Sequence, residues 1–186
     1  MAVAGREDVL AHIDHWLNKV VIGLNLCPFA GSPHKAGRVR KVVCDSTDEA
    51  SVAAALVQEL HLLQASSTSE LETTLVVTPH CFANFLDYNE FLGLVDDLIE
   101  QCGWQGVFQV ASFHPDYQFA GTREGDDENL TNSAPYPIFH LLREESLSKA
   151  VDSYPAVAQI PETNIETIRG LTPEQKKQLF YYLARF

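Results

Sequence analysis

Paired cysteines are missing from this sequence: Cys27, Cys44, Cys81 and Cys102 stand far apart with no CxxC among them. That spacing supplies neither a zinc cage nor a small disulfide framework. Basic residues are also scarce, 13 Lys and Arg against 25 Asp and Glu, for a formal net charge of −12. A general nucleic-acid surface needs clustered cations to neutralise phosphates, so no nucleic-acid partner is expected. The one basic cluster, Lys35, Arg38, Arg40 and Lys41, reads either as the solvated border of a strand or as a seat for a small anion. Long apolar runs are lacking too. Nothing approaches the ~20 residues that cross a bilayer, and Glu7 and Asp8 do not suit a signal peptide. The expectation is a soluble, cytoplasmic chain without a membrane partner. There is no repeat or low-complexity tract, and 186 residues at 46% hydrophobic suit one core and a single domain over 1–186.

What is present is periodic. From Asp8 to Leu24, apolar residues fall at Val9, Ile13, Trp16, Leu17, Val20 and Leu24, the spacing of an amphipathic helix. Leu26-Cys27-Pro28-Phe29-Ala30 follows, where Pro28 forces an extended Cys27. A helix exit does not lower a thiol's pKa, so Cys27 reads as a semi-buried structural thiol or as a nucleophile activated from elsewhere. Val39 to Asp45, Thr73 to Thr78 and Val107 to Ser112 read as strands. Between them lie helices, one from the Ser46–Glu49 capping pattern to Gln64 and one from about Asp87 to Cys102. This βαβαβ order predicts an α/β fold with a small, mainly parallel three-stranded sheet flanked by helices. Pro137 suits the first turn of a helix over Ile138 to Val151, and helices opening at Thr163 and Thr172 make the C-terminal third helical.

The stretch from Phe108 to Glu144 gathers ionisable and turn-forming groups beside an apolar strand, as functional loops on rigid scaffolds do. Parallel strands would bring Asp45, Thr78, His80, Ser112, His114 and Asp116 to one sheet edge, where open α/β sheets bind ligands. His114 and Asp116 share a side if the chain stays extended. With His80, or with His140 from the following helix, they make a two-histidine, one-carboxylate set able to bind a divalent metal, although no HxH or HExxH spacing locks it. His12 and His15 lack a third ligand. Asp126, Asp127 and Asn129 could add oxygen ligands, yet their loop lacks the calcium spacing; it reads as a solvated segment or as a lid.

A metal-free arrangement makes His114 and His140 the catalytic acid and base beside Asp116. Arg143 shares a helical face with His140 and Glu144 and would bind an anionic substrate group, with Asn132, Tyr136 and Cys27 as further substrate contacts. The alternative for Arg143 is a pair with Glu144 or an aspartate that fastens the loop.

Four segments carry a family resemblance: Gly23-Leu24-Asn25-Leu26-Cys27-Pro28-Phe29-Ala30, Ser112-Phe113-His114-Pro115-Asp116-Tyr117-Gln118-Phe119, Pro135-Tyr136-Pro137 with His140-Leu141-Leu142-Arg143-Glu144, and Ile160-Pro161-Glu162-Thr163-Asn164-Ile165-Glu166-Thr167. Over nearly its whole length the chain resembles DUF1415, a family of bacterial and plastid proteins of unknown function. The resemblance implies a single domain and supplies no mechanism. Ser133-Ala134 depart from the Arg-Ser pair usual in that family, which weighs against anion binding at that turn.

The function expected from these residues is a hydrolase-like enzyme acting on a small polar or anionic metabolite. The alternative is a non-catalytic ligand-binding or protein-interaction module. Convergence of His114, Asp116 and His140 to within about 4 Å, or one water, separates the two.

Overall fold

The computed structural model describes residues 5–186. Helix α1, Arg6–His15, runs straight into a π-helix, Trp16–Ile22, so the helix expected over 8–24 forms but widens halfway. Trp16, Leu17, Val20 and Val21 are buried along its inner face. Gly23 is needed at the exit, since a Cβ there would lie 2.4 Å from the Lys19 carbonyl oxygen. Asn25 then turns the chain with φ 55°, a left-handed conformation that Asn tolerates better than most residues.

After the short helix α2, Gly31–Lys35, come β1, Val39–Val43, and α3, Glu49–Ala65. The Asp48 carboxylate caps α3 by accepting the Ser51 N–H at 2.8 Å. Strand β2, Thr73–Val77, leads to α4, Phe85–Gln101, and this to β3, Phe108–Phe113. Asn84 caps α4 through the Leu86 N–H. The basic cluster proves to be paired: Arg40 grips Glu59 through two nitrogens, Arg38 holds Glu72, and Lys41 meets Asp14. Three of its four cations are therefore occupied.

The segment 138–143 corrects the sequence reading. Ile138–Arg143 is a strand, β4, and only Glu144–Ser153 is helical, as α5. The sheet thus has four strands in the order β1-β2-β4-β3. β1 and β2 are parallel, whereas β4 is antiparallel to both neighbours, so two of the three pairings are antiparallel. Strands β1, β2 and β3 still run the same way, because β4 slots between β2 and β3. A short run such as Ile-Phe-His-Leu-Leu fits a buried strand or a buried helical turn equally well. Tertiary structure decides, because Ile138 packs on one face while Phe139 and Leu141 pack on the other.

Both faces are covered. On one, α1, the π-helix and the C-terminal residues Ile168, Phe180 and Leu183 enclose Val43, Leu75, Val77 and Ile138. On the other, α3 and α4 enclose Val76, Phe139 and Leu141. Every residue of β2 is buried, the two-sided burial expected of a central strand. The end of the chain is helical as α6, Ile160–Arg169, and α7, Pro173–Leu179, but Tyr182, Leu183 and Phe186 follow the last helix rather than line it. No helix among the described residues is long and apolar enough to cross a membrane.

Candidate functional site

His114 follows directly on β3, at the sheet edge expected for it, but it is 1% exposed. Its ring packs between Phe85 and Tyr88, at centroid distances of 5.4 and 5.3 Å. The Asp116 backbone N–H donates to Nδ1 at 3.0 Å, which leaves Nε2 to donate to the Phe82 carbonyl at 2.8 Å. Both ring nitrogens are spent in a neutral tautomer, and burial pushes the imidazole's pKa below its ordinary value. Phe82 sits at φ 61°, an uncommon conformation for an aromatic residue. The histidine therefore pins a strained turn. His114→Gln, which removes the ring and disturbs both bonds, is expected to cost roughly 2 kcal/mol in urea unfolding.

His140 lies on the opposite face. In β3, Val110 packs on the α3–α4 side and Phe113 on the α1 side; in β4, Ile138 packs on the α1 side and Phe139 on the other. Alternation thus places His114 with α4 and His140 under α1. Thr73 Oγ1 donates to the Leu141 carbonyl at 2.5 Å, so the 2.7 Å contact with His140 Nε2 uses the imidazole's proton. Desolvation holds the His140 pKa at about 4.

Arg143 occupies the end of β4, not a helical face beside His140. Its Nη2 lies 2.5, 2.8 and 3.0 Å from the carbonyl oxygens of Leu63, Ser66 and Leu71. The guanidinium thus caps the C-terminal end of α3, where unpaired carbonyls and the helix dipole favour a cation.

The remaining candidates are dispersed. Asp116 is exposed, and Asn132 Nδ2 donates to the Ser112 carbonyl at 3.2 Å. The Tyr136 hydroxyl lies 2.8 Å from His12 Nδ1, and His80 is half-buried in the turn after β2. Among the described residues no three His, Cys, Asp or Glu side chains are grouped to hold a metal. The acidic loop is tied down rather than open: Asn129 is buried and bonds Phe119, Thr122 and Arg123, while Asp127 and Glu128 pair with Lys176 and Arg169.

Convergence occurs elsewhere. The Asn164 side chain donates to the Leu26 carbonyl at 2.7 Å across 138 positions of sequence, and the Phe29 and Tyr154 rings meet edge-on at 5.5 Å. Between them is a notch of about 220 Å³ lined by Asn25, Pro28, Tyr154, Gln159, Thr163 and Asn164, together with Ala156 and Ile160. Cys27 lies within the same turn, where the Ala30 N–H donates to its carbonyl at 3.2 Å and the backbone amides of Phe29 and Ala30 favour the thiolate. Burial nevertheless outweighs that influence and pushes the thiol's pKa up. A second cavity, about 290 Å³, carries Asp96, Asp97, Glu100 and Glu144 beside β3.

Five of the eight residues lining the notch come from two of the segments that carried the resemblance, 23–30 and 160–167. The family model for "Protein of unknown function (DUF1415)" matches residues 8–178, a span that holds all four segments. The chain belongs to the DUF1415 family. No curated protein and no solved structure matches it. In this DUF1415 protein the notch residues Asn25, Tyr154, Gln159 and Asn164 were not among the candidate site residues of the sequence, because none carries a charge that would mark it. One signal was readable: an Asn just past a helix end is a left-handed turn residue, and such positions cluster at ligand sites.

Proposed function

We propose that this DUF1415 protein binds a small polar molecule in the notch between the Asn25–Pro28 turn and α6, acting as a ligand-binding module. The observation that carries this reading is the meeting of two motif segments, 138 positions apart at the Asn164–Leu26 hydrogen bond, around one concave surface. Among the described residues no charged one lines that surface. Recognition would rest on the Asn25 and Gln159 carboxamides and the Thr163 hydroxyl, with Pro28, Tyr154 and Ile160 as the apolar wall. Its volume falls below the ~300–1,000 Å³ of drug-sized sites, so the ligand class is a molecule of few heavy atoms bearing amide or hydroxyl groups.

Thermal-shift and ligand-observed NMR screens against small amides, polyols and amino acids test the reading. A binder should weaken about tenfold in Gln159→Ala or Thr163→Val, each removing one hydrogen-bonding group. Both residues are exposed, so the unliganded melting temperature should hold. Absence of any binder, or binding indifferent to both substitutions, would reject the notch.

A second reading keeps a hydrolase for a small polar or anionic metabolite, with Cys27 as nucleophile. It draws on the backbone amides of Phe29 and Ala30, which favour the negatively charged form of Cys27. The same screen reports on it, through turnover of a bound compound that stops in Cys27→Ala.

A further inference from the structure

The two edges of the sheet differ in kind. β1 carries Arg40 and Lys41, the charges with which edge strands discourage pairing. β3, at the other edge, reads Phe-Gln-Val-Ala-Ser-Phe, six residues without a charge in a chain of net charge −12. Gln109 and the preceding Val107 are exposed.

Its backbone groups can be assigned direction by direction. The Glu144 N–H donates to the Val107 carbonyl, and the β3–β4 register continues that pairing through Gln109, Ala111 and Phe113. Odd-numbered residues therefore bond toward β4 and even-numbered ones point outward. Outward groups at both ends are taken. The Phe108 N–H donates to Trp104, the Ser112 carbonyl accepts from Asn132 Nδ2, and the His114 N–H donates to the Asn132 carbonyl. Among the described residues, the Phe108 carbonyl, the Val110 N–H and carbonyl, and the Ser112 N–H have no such partner.

We propose that β3 pairs antiparallel with β3 of a second copy of this chain, about a two-fold axis through Val110, making one continuous eight-stranded sheet. The four free groups are self-complementary in this register. Each Val110 N–H meets the other copy's Val110 carbonyl, and each Ser112 N–H meets the other's Phe108 carbonyl, giving four hydrogen bonds. Sliding the register by two residues sends the Ser112 N–H to the turn at Gly106, outside the strand. Side chains agree with the axis: Gln109 falls opposite Ala111, Val110 opposite Val110 and Phe108 opposite Ser112, so no two like charges on the strands face each other. Such an interface is isologous and closes as a dimer.

Sedimentation velocity over a dilution series, with hydrogen exchange on the same samples, tests the proposal. The wild type should dimerise, and the Val110 and Ser112 amides should be protected in concentrated samples and exchange on dilution. Val110→Pro removes an outward N–H, a position where an edge strand accepts proline, and should weaken the dimer at least about 100-fold by losing both central bonds. Gln109→Lys combined with Ala111→Lys places lysines opposite one another across the axis and should weaken it without touching Val110. Circular dichroism establishes that each variant is folded, and the amide pattern of the wild type decides the matter even if Val110→Pro is not. A wild type that stays monomeric at the highest concentration overturns the proposal. So does a dimer that leaves the Val110 and Ser112 amides unprotected.

Discussion

Arg143→Gln should destabilise the protein by roughly 4 kcal/mol while leaving its response to anions unchanged. Nη2 contacts three backbone carbonyls, those of Leu63, Ser66 and Leu71, and hydrogen bonds to a charged donor contribute ~1.5–3 kcal/mol each when not shared. One nitrogen serving three acceptors divides that gain, which places the total near the value of two good bonds. The substitution also leaves carbonyls at the end of α3 without a partner, and it removes a cation from the negative end of that helix. Glutamine is too short to reach all three. Chemical denaturation of the two proteins measures the loss. Phosphate, sulfate and small carboxylates should shift the melting temperature of wild type and variant equally, because a native-state ligand lost with the guanidinium would stabilise the wild type alone. Selective stabilisation of the wild type would return Arg143 to substrate binding.

Acid should weaken the fold through His140, by about 3 kcal/mol between pH 6.5 and 4. The sign follows from the two states. In the unfolded chain the imidazole takes up its proton near its ordinary value of 6.5, whereas in the folded chain burial delays uptake to about 4. Between those values the unfolded state binds more protons, so stability is complete above 6.5 and falls as the pH drops toward 4. The geometry gives the reason. Nε2–H is engaged by Thr73 Oγ1, and a second proton on Nδ1 would place a charge between β4 and the α1 layer. His140→Gln can still donate to Thr73 and cannot titrate, so most of the slope in this window should vanish from its pH-dependent unfolding free energies. Buried His114, shifted in the same direction, should leave a residue of it. A slope unchanged in His140→Gln would sink the assignment.

Neither histidine has a free nitrogen facing the other, and this is where sequence reasoning and structure part. Ser112-Phe113-His114-Pro115-Asp116 was legible as a strand end bearing polar groups, and His114 does lie at the edge expected of it. Strand alternation alone could not say that its side would be filled by Phe85 and Tyr88 of α4. Catalytic and buried structural histidines carry the same local signal, because in both the neighbours that set their role are distant in sequence. The notch was half legible: Asn25 and Ile160–Asn164 stood in segments that carried the resemblance, but their meeting depends on how α6 docks against the π-helix exit.

The sequence by itself determined α1, α3, α4, α6, α7 and three of the strands, since apolar period, caps and breakers act within a few residues: Thr172 caps α7 as its capping pattern says it should, and the Ser46–Glu49 run opens α3, with Asp48 as the cap. It also determined membership of the DUF1415 family. Only the tertiary structure decided that Ile138–Arg143 is a strand, since a run apolar on every side takes its conformation from what surrounds it, here β2 and β3 with a helical layer on each face. That one insertion made the sheet mixed, moved His140 to the face opposite His114, and turned Arg143 from a helix-surface cation into the cap of α3. Side-chain direction follows from strand parity, and strand parity exists only once the partner strands are in place.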